Sequence, residues 1–277
     1  PWHYKFTWNP INILHAGKSG ASYLEDNKEV HIPYAKLFQH AALTTIDGLG
    51  DFAYYPNRDS LDYINTYAVQ GVETFMRATL RNPSFCEGWH ALIVLGLTDT
   101  TNVYHTNGMN HASLLKLITN YSDKNISIVE HVAKLLGTSL NTTLMKMLHY
   151  LDLFSEVDFI NKDTMTAADF LFSILLSKWE MNDHDQDMVI MKHDIAYKHK
   201  HKTHSVTSTL VVYGENKHFS AMSKTVGLPM AILTKLILTK QISSLPSGVL
   251  IPTMQQIYKP VLKELSKHQI VFTEKIN

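Results

Sequence analysis

Cysteine is the scarcest residue in this sequence. Cys86 stands alone among 277 residues, which excludes an intrachain disulfide framework and favours a reducing, cytoplasmic compartment. No uninterrupted apolar run reaches the ~18 residues that a membrane span needs. Neither sign of charge is in excess: 25 Lys and Arg residues balance 25 Asp and Glu, so the composition calls for no nucleic acid and no membrane as partner. The short motifs of nucleotide binding, metalloprotease chemistry and serine hydrolysis are missing too. There is no Gly-X-Gly-X-X-Gly, no Walker loop, no His-Glu-X-X-His, no Cys-X-X-Cys and no Gly-X-Ser-X-Gly. If the chain is part of a cofactor enzyme, its nucleotide fingerprint lies outside it. The opening "PWHYKFTW" has no initiator methionine and reads as a piece cut from something longer. Sequons beginning at Asn120, Asn125 and Asn141 are expected to be chance matches in the absence of a secretory signal.

What is present is apolar substance. The chain is 45% hydrophobic and 18% charged, enough for a sizeable core in one large domain or two or three smaller ones. Its 16 histidines make the net charge rise quickly below neutral pH. Strands are expected over 2–8, 28–34, 51–55 and 72–81, with a short helix from Pro10 to Leu14 and a longer one over 85–97 ending near Gly96. From about 100 to 183 the period becomes helical. Ile128, Val132, Leu135 and Leu136 fall on one face with Gly137 as a stop; Leu144, Met147, Leu148 and Leu151 fall on another. "TAAD" at 166–169 resembles a capping box. Residues 187–214 read as a hairpin with a basic tip, followed by helices over 219–242 and about 253–267 and a strand over 270–274. The expected fold is α/β (α+β). Its parts are a mixed-sheet domain (1–99 and 184–218), an all-helical insertion of four or five helices (100–183), and C-terminal helices and a strand (219–277).

Three places could carry chemistry. Period two in 72–81 puts Phe75, Arg77, Thr79 and Arg81 on one face, with Thr74, Met76, Ala78 and Leu80 on the other as a core face. Arginine's planar fork matches a carboxylate two bonds at a time. Alone, that strand is better read as a solvated edge, and Arg58 in "YPNRDS" as part of an ordinary turn. As a group, Arg58, Arg77 and Arg81 suit an anionic small molecule, if the two strands are neighbours. His193, His199, His201 and His204 alternate on the hairpin, but lysines at 198, 200 and 202 oppose a divalent cation, so a solvated tip is preferred and no metal is expected. Cys86 and His90 have the spacing of a nucleophile and base on a helix. The apolar "WHALIVLGL" around them favours packing.

The segments "YKFTWNP", "YPNRDSLDYINTYAV", "RATLR…F…GWHALIVLGL", "DMVIMKH" and "SAMSKTVGLPMAILTKLIL…GVLIP…IYKPVLKEL" occur here in one order. In that order they resemble the NADP-linked, glutamate-forming saccharopine dehydrogenases, of bacterial type, from Tyr4 to about Phe272, least clearly across the helical block. The resemblance implies an oxidoreductase of lysine metabolism that interconverts saccharopine with glutamate and α-aminoadipate semialdehyde. It implies NADP(H), bound mainly by a Rossmann domain not in this chain, onto which the final helices pack. It carries substrate contacts onto Arg58, Thr79, Leu80 and Arg81, and cofactor proximity onto Trp8 and Asn9. It assigns no catalytic residue here, so the chain alone is expected to be inactive, and it admits a homodimer. The sequence departs from the family's usual glycines, with Ala78 before Thr-Leu-Arg and Asn82-Pro83-Ser84 after it. The alternatives are a related amino-acid or polyamine dehydrogenase (carboxyspermidine or lysine dehydrogenase-like) and a non-catalytic binding or dimerisation module.

Overall fold

The computed structural model describes residues 1–242 and 245–276. They divide into two compact units. Unit one is Pro1–Tyr4 with Asn9–Glu180; unit two is Lys5–Trp8 with Met181–Asn277.

Unit one begins with a single helical turn α1 (Asn12–His15), then strands β1 (Ala21–Glu25) and β2 (Lys28–Ile32). These two form a hairpin in which Glu25 faces Lys28, leaving Asp26 and Asn27 as a two-residue turn with φ of 48° and 62°. Both central residues lie at positive φ, as in the turn whose twist suits a hairpin. The turn α2 (Tyr34–Leu37) leads to β3 (Ala42–Ile46), β4 (Gly50–Pro56), the two-residue β5 (Arg58–Asp59), α3 (Asp62–Thr66) and β6 (Ala78–Arg81). Sheet order is β2-β1-β5 in one sheet and β3-β4-β6 in another, with β1 and β5 the parallel pair. Next come α4 (Pro83–Val94), β7 (Val103–His105), α5 (His111–Ile118), α6 (Ile128–Leu135), α7 (Thr143–Tyr150), β8 (Thr164–Thr166) and α8 (Ala167–Lys178).

The expected helical faces are there. Leu144, Met147, Leu148 and Leu151 are all buried, and Gly137 ends α6 at φ 61°. Leu135 is the exception, on the exposed side of its helix. Thr166 Oγ1 accepts from the Asp169 N–H at 3.1 Å while Asp169 accepts from the Thr166 N–H at 3.1 Å, so the capping box forms. Residues 100–180 hold four helices, within the same unit as β1–β6.

Several expected strands differ. Residues 2–8 form none. Trp2 and Tyr4 go instead into a cluster: Trp2 packs on Trp179 at 5.3 Å between centroids, Tyr4 on Phe85 at 5.1 Å, and Phe85 stacks on Trp89 at 5.7 Å. Burying large rings outweighs edge pairing for so short a segment. Trp2 Nε1 donates to the Met147 carbonyl at 3.1 Å. Gly88 is required here, because a Cβ on it would stand 2.7 Å from the Trp2 ring. The expected 72–81 strand shrinks to Ala78–Arg81 plus a lone bridge from Phe75 to Leu24. β1 and β3 were not anticipated.

Unit two is a long hairpin, β9 (Met188–His199) and β10 (Lys202–Tyr213), with β11 (Thr273–Ile276) on the far side of β10. Lys200 and His201 make its turn at φ 48° and 63°. Helices α9 (Ala221–Leu238) and α10 (Gln255–Ser266) pack on one end of the sheet around Leu210, Val212, Ile232, Leu236, Val261 and Leu265. The final strand lies three residues later than expected at its start, at Thr273. Gly227 and Pro229 both lie inside a continuous α9. Asp187 caps this helix, accepting from the N–H groups of Ala221 at 2.6 Å and Met222 at 3.0 Å. By length and composition alone α9 is apolar enough to cross a membrane, with a mean hydropathy of 1.3. Lys224 and Lys235 interrupt its apolar run.

Candidate functional site

β4 and β6 are neighbours, the condition on which the arginine cluster depended. Ala53 faces Arg81, Tyr54 faces Leu80, Tyr55 faces Thr79 and Pro56 faces Ala78; beyond them the Asn57 N–H donates to the Arg77 carbonyl at 2.8 Å. The register reverses the expected faces. Thr79 and Arg81 stand beside Tyr55 and Ala53, which are buried, whereas Ala78 is exposed. An arginine can face inward here because its stem and fork lie against rings. The Arg81 Cζ is 5.6 Å from the centroids of both Tyr4 and Phe85. Its Nη1 donates to the Leu80 carbonyl at 2.9 Å, but its Nε is buried with no hydrogen-bond partner. A guanidinium nitrogen removed from water without a partner is costly, and a carboxylate ligand would supply the missing acceptor. Ala78 is exposed, and Asn82 caps α4 ahead of Pro83, its Oδ1 accepting from the Ser84 N–H at 3.1 Å.

The charge of Arg81 is felt by its neighbours. Burial raises the hydroxyl pKa of Tyr4 and Tyr55, and Arg81 pulls both back down. Burial also pushes the Cys86 thiol up to about 11, against the opposing pull of Arg81. At neutral pH it is a thiol and no nucleophile. Desolvation lowers the His90 pKa, and its Nδ1 is buried without a partner.

Arg58 is held differently. It sits at φ 55°, exposed, where β5 joins β1 with Arg58 opposite Ala21. Its neighbours fix the turn. Asp59 accepts from the Leu61 N–H at 2.8 Å, the Ser60 N–H donates to the Ser22 carbonyl at 2.8 Å, and the fully buried Ser60 hydroxyl accepts from the Arg77 N–H at 3.0 Å. The Arg77 Cζ lies 3.9 Å over the Tyr63 ring. Arg81 is level with Ala53, and Arg58 lies five residues further along the chain. Arg58 belongs to the sheet of β1 and Arg81 to that of β4.

Trp8 and Asn9 are exposed. Asn9 precedes α1, its carbonyl accepting from the Asn12 N–H at 3.2 Å. On the hairpin, the His199 and His204 rings are 6.5 Å apart, and among the described residues no three metal-ligating side chains gather. A cavity of about 360 Å³ that the sequence did not signal lies on unit two, lined in part by His193, Ser208, Phe272 and Glu274.

Set beside known proteins, residues 1–271 match the saccharopine dehydrogenase C-terminal domain. The chain belongs to that family. The saccharopine dehydrogenase [NADP(+), L-glutamate-forming] of Saccharomyces cerevisiae is 30% identical over 282 residues, covering 99% of this chain and 62% of its own length. The mitochondrial alpha-aminoadipic semialdehyde synthase of Rattus norvegicus is 29% identical, over 98% of this chain and 30% of its own length. The apo structure of the yeast saccharopine dehydrogenase (L-Glu forming) matches the whole chain with a TM-score of 0.87 at 28% identity, over 63% of that chain. The chain thus spans less than two thirds of the family relatives it resembles, and the mixed α/β fold is theirs.

Proposed function

We propose that this chain is the substrate-holding part of an NADP(H)-linked saccharopine dehydrogenase. In that role Arg81 binds one carboxylate of saccharopine, Thr79 and the Leu80 backbone line the same place, and Arg58 binds a second carboxylate at the other end of the molecule. The buried, unpartnered Nε of Arg81 carries this reading, since a side chain so placed is stabilised only when an acceptor arrives. Saccharopine, with glutamate at one end and three carboxylates in all, has a carboxylate to offer each of the two arginines. Trp8 and Asn9 are assigned to the cofactor side. Residues 100–183 are read as an insertion into the substrate domain, and the apolar face of α9 as the surface that meets a nucleotide domain. The buried single cysteine fits a reducing, cytoplasmic compartment.

The chain's residues do no proton or hydride chemistry here. They orient the substrate so that its reacting carbon faces the cofactor, and they replace its hydration with fixed donors. Arg58→Ala or Arg81→Ala in the intact enzyme should raise KM for saccharopine at least tenfold. Unchanged kinetics in both variants would remove the site.

A further inference from the structure

The helix layer of unit two is shorter than the sheet it covers. Val189, Leu210 and Val212 lie under α9 and α10. Two residues beyond Leu210, on the same face, the sheet presents a polar row. His193 of β9 faces Ser208 of β10, and Ser208 faces Glu274 of β11. Residues directly opposite across a sheet share a face, so imidazole, hydroxyl and carboxylate stand side by side, about 5 Å apart from strand to strand. This row is one side of the cavity of about 360 Å³. Leu262 and Ser266, one turn apart on α10, contribute to the other side, with Ile270 and Phe272. The Phe272 ring lies 5.6 Å from that of His193. A cavity of this size with a few convergent polar groups suits a small molecule.

The polar row is open to a ligand. The Ser266 hydroxyl is already engaged, donating to the Lys263 carbonyl at 2.8 Å. Among the described residues, the side chains of His193, Ser208 and Glu274 make no hydrogen bond and no ion pair. Charge then selects the ligand. No described lysine or arginine lines the cavity, and all three arginines of the chain belong to unit one. Lys192 and Lys275 neighbour His193 and Glu274 in sequence, which puts them on the opposite face, and Lys192 pairs there with Asp194 at 3.1 Å. A carboxylate accepts only, and a hydroxyl and a neutral imidazole each have a lone pair to give; a primary ammonium has three donors and no acceptor. The face of the Phe272 ring also attracts a cation. An amino acid would bring a carboxylate for which the cavity has no partner, and an unpaired desolvated charge is costly. One histidine and one glutamate are too few to hold a divalent metal, and no larger ligand group gathers among the described residues. We propose that this cavity binds a primary alkylammonium with a compact apolar body and no carboxylate. Its nitrogen sits at the His193–Ser208–Glu274 row, and its body lies against Phe272, Leu262 and Ile270.

2-Phenylethylamine is the probe, titrated into the 277-residue chain and followed by NMR chemical shifts. It should bind with a Kd of about 1 mM or tighter, and no binding up to ~10 mM would overturn the proposal. Phenylacetate and phenylalanine keep the ring and carry a carboxylate. Both should bind at least tenfold more weakly, and equal binding of either would overturn the charge argument. Glu274→Gln should weaken the amine at least tenfold, while Lys275→Gln, on the opposite face, should leave its affinity unchanged. Native affinity in Glu274→Gln, or equal weakening in both variants, places the amine elsewhere and removes the site. If Glu274→Gln fails to fold, the native chain decides. The ring protons of His193 and Phe272 should shift on titration, and shifts confined to other residues would overturn the assignment.

Discussion

At the residue scale, Cys86 shows how environment decides between two chemistries that a spacing alone leaves open. The i to i+4 pair with His90 suggested a nucleophile and base, but both side chains face desolvation. A thiol whose folded pKa lies above its unfolded value binds its proton more tightly when folded. The stability this adds is complete below the ordinary value of 9.0 and is lost as pH rises toward about 11. Cys86→Ala should therefore flatten the alkaline limb of the stability profile between those values, measured by urea denaturation. In the native chain at neutral pH, dithionitrobenzoate should react with the thiol only on the unfolding timescale. Rapid native labelling would show the site to be open.

At the element scale, two hairpins obey the same turn rule, one with Asp26-Asn27, residues that suit it, and the other with residues rarely chosen for it. Lys200 and His201 occupy left-handed backbone without the Asn-Gly that favours it. Lys200→Asn combined with His201→Gly should raise the unfolding free energy by about 1 kcal/mol, read from denaturant midpoints. No gain would mean that the tip is held by something other than its backbone. This scale also shows what the sequence made legible. Helices with a buried period, such as 144–151, and the hairpin 187–214 were readable because local pattern and tertiary need agree. The strand at 2–8 was misread because alternating aromatics pack as rings when a cavity of matching size exists. The inward direction of Arg81 was hidden for a related reason: period two fixes which residues share a face, not which face is buried. Only the register against Ala53 and Tyr55 settles that.

At the scale of the whole molecule, motif order draws attention to Arg58 and Arg81, but not to where the fold puts them. Arg58 and Arg81 belong to different strands in different sheets, and sequence distance says nothing of the turn at Ser60 that sets them apart. The absence of a dinucleotide fingerprint bears on activity directly. The 277-residue chain alone, mixed with NADPH, glutamate and the semialdehyde, should oxidise no NADPH. Measurable turnover at 340 nm would mean that the chain holds a nucleotide site of another kind.

Three of the four tryptophans, Trp2, Trp89 and Trp179, are sealed in one aromatic cluster, while Trp8 is 56% exposed. The chain therefore carries two optical populations. The sealed set emits toward the blue, out of reach of iodide, and reports the integrity of unit one. Trp8 emits toward the red and answers to whatever touches the surface assigned to the cofactor, so a single fluorescence spectrum separates loss of structure from occupancy of that surface.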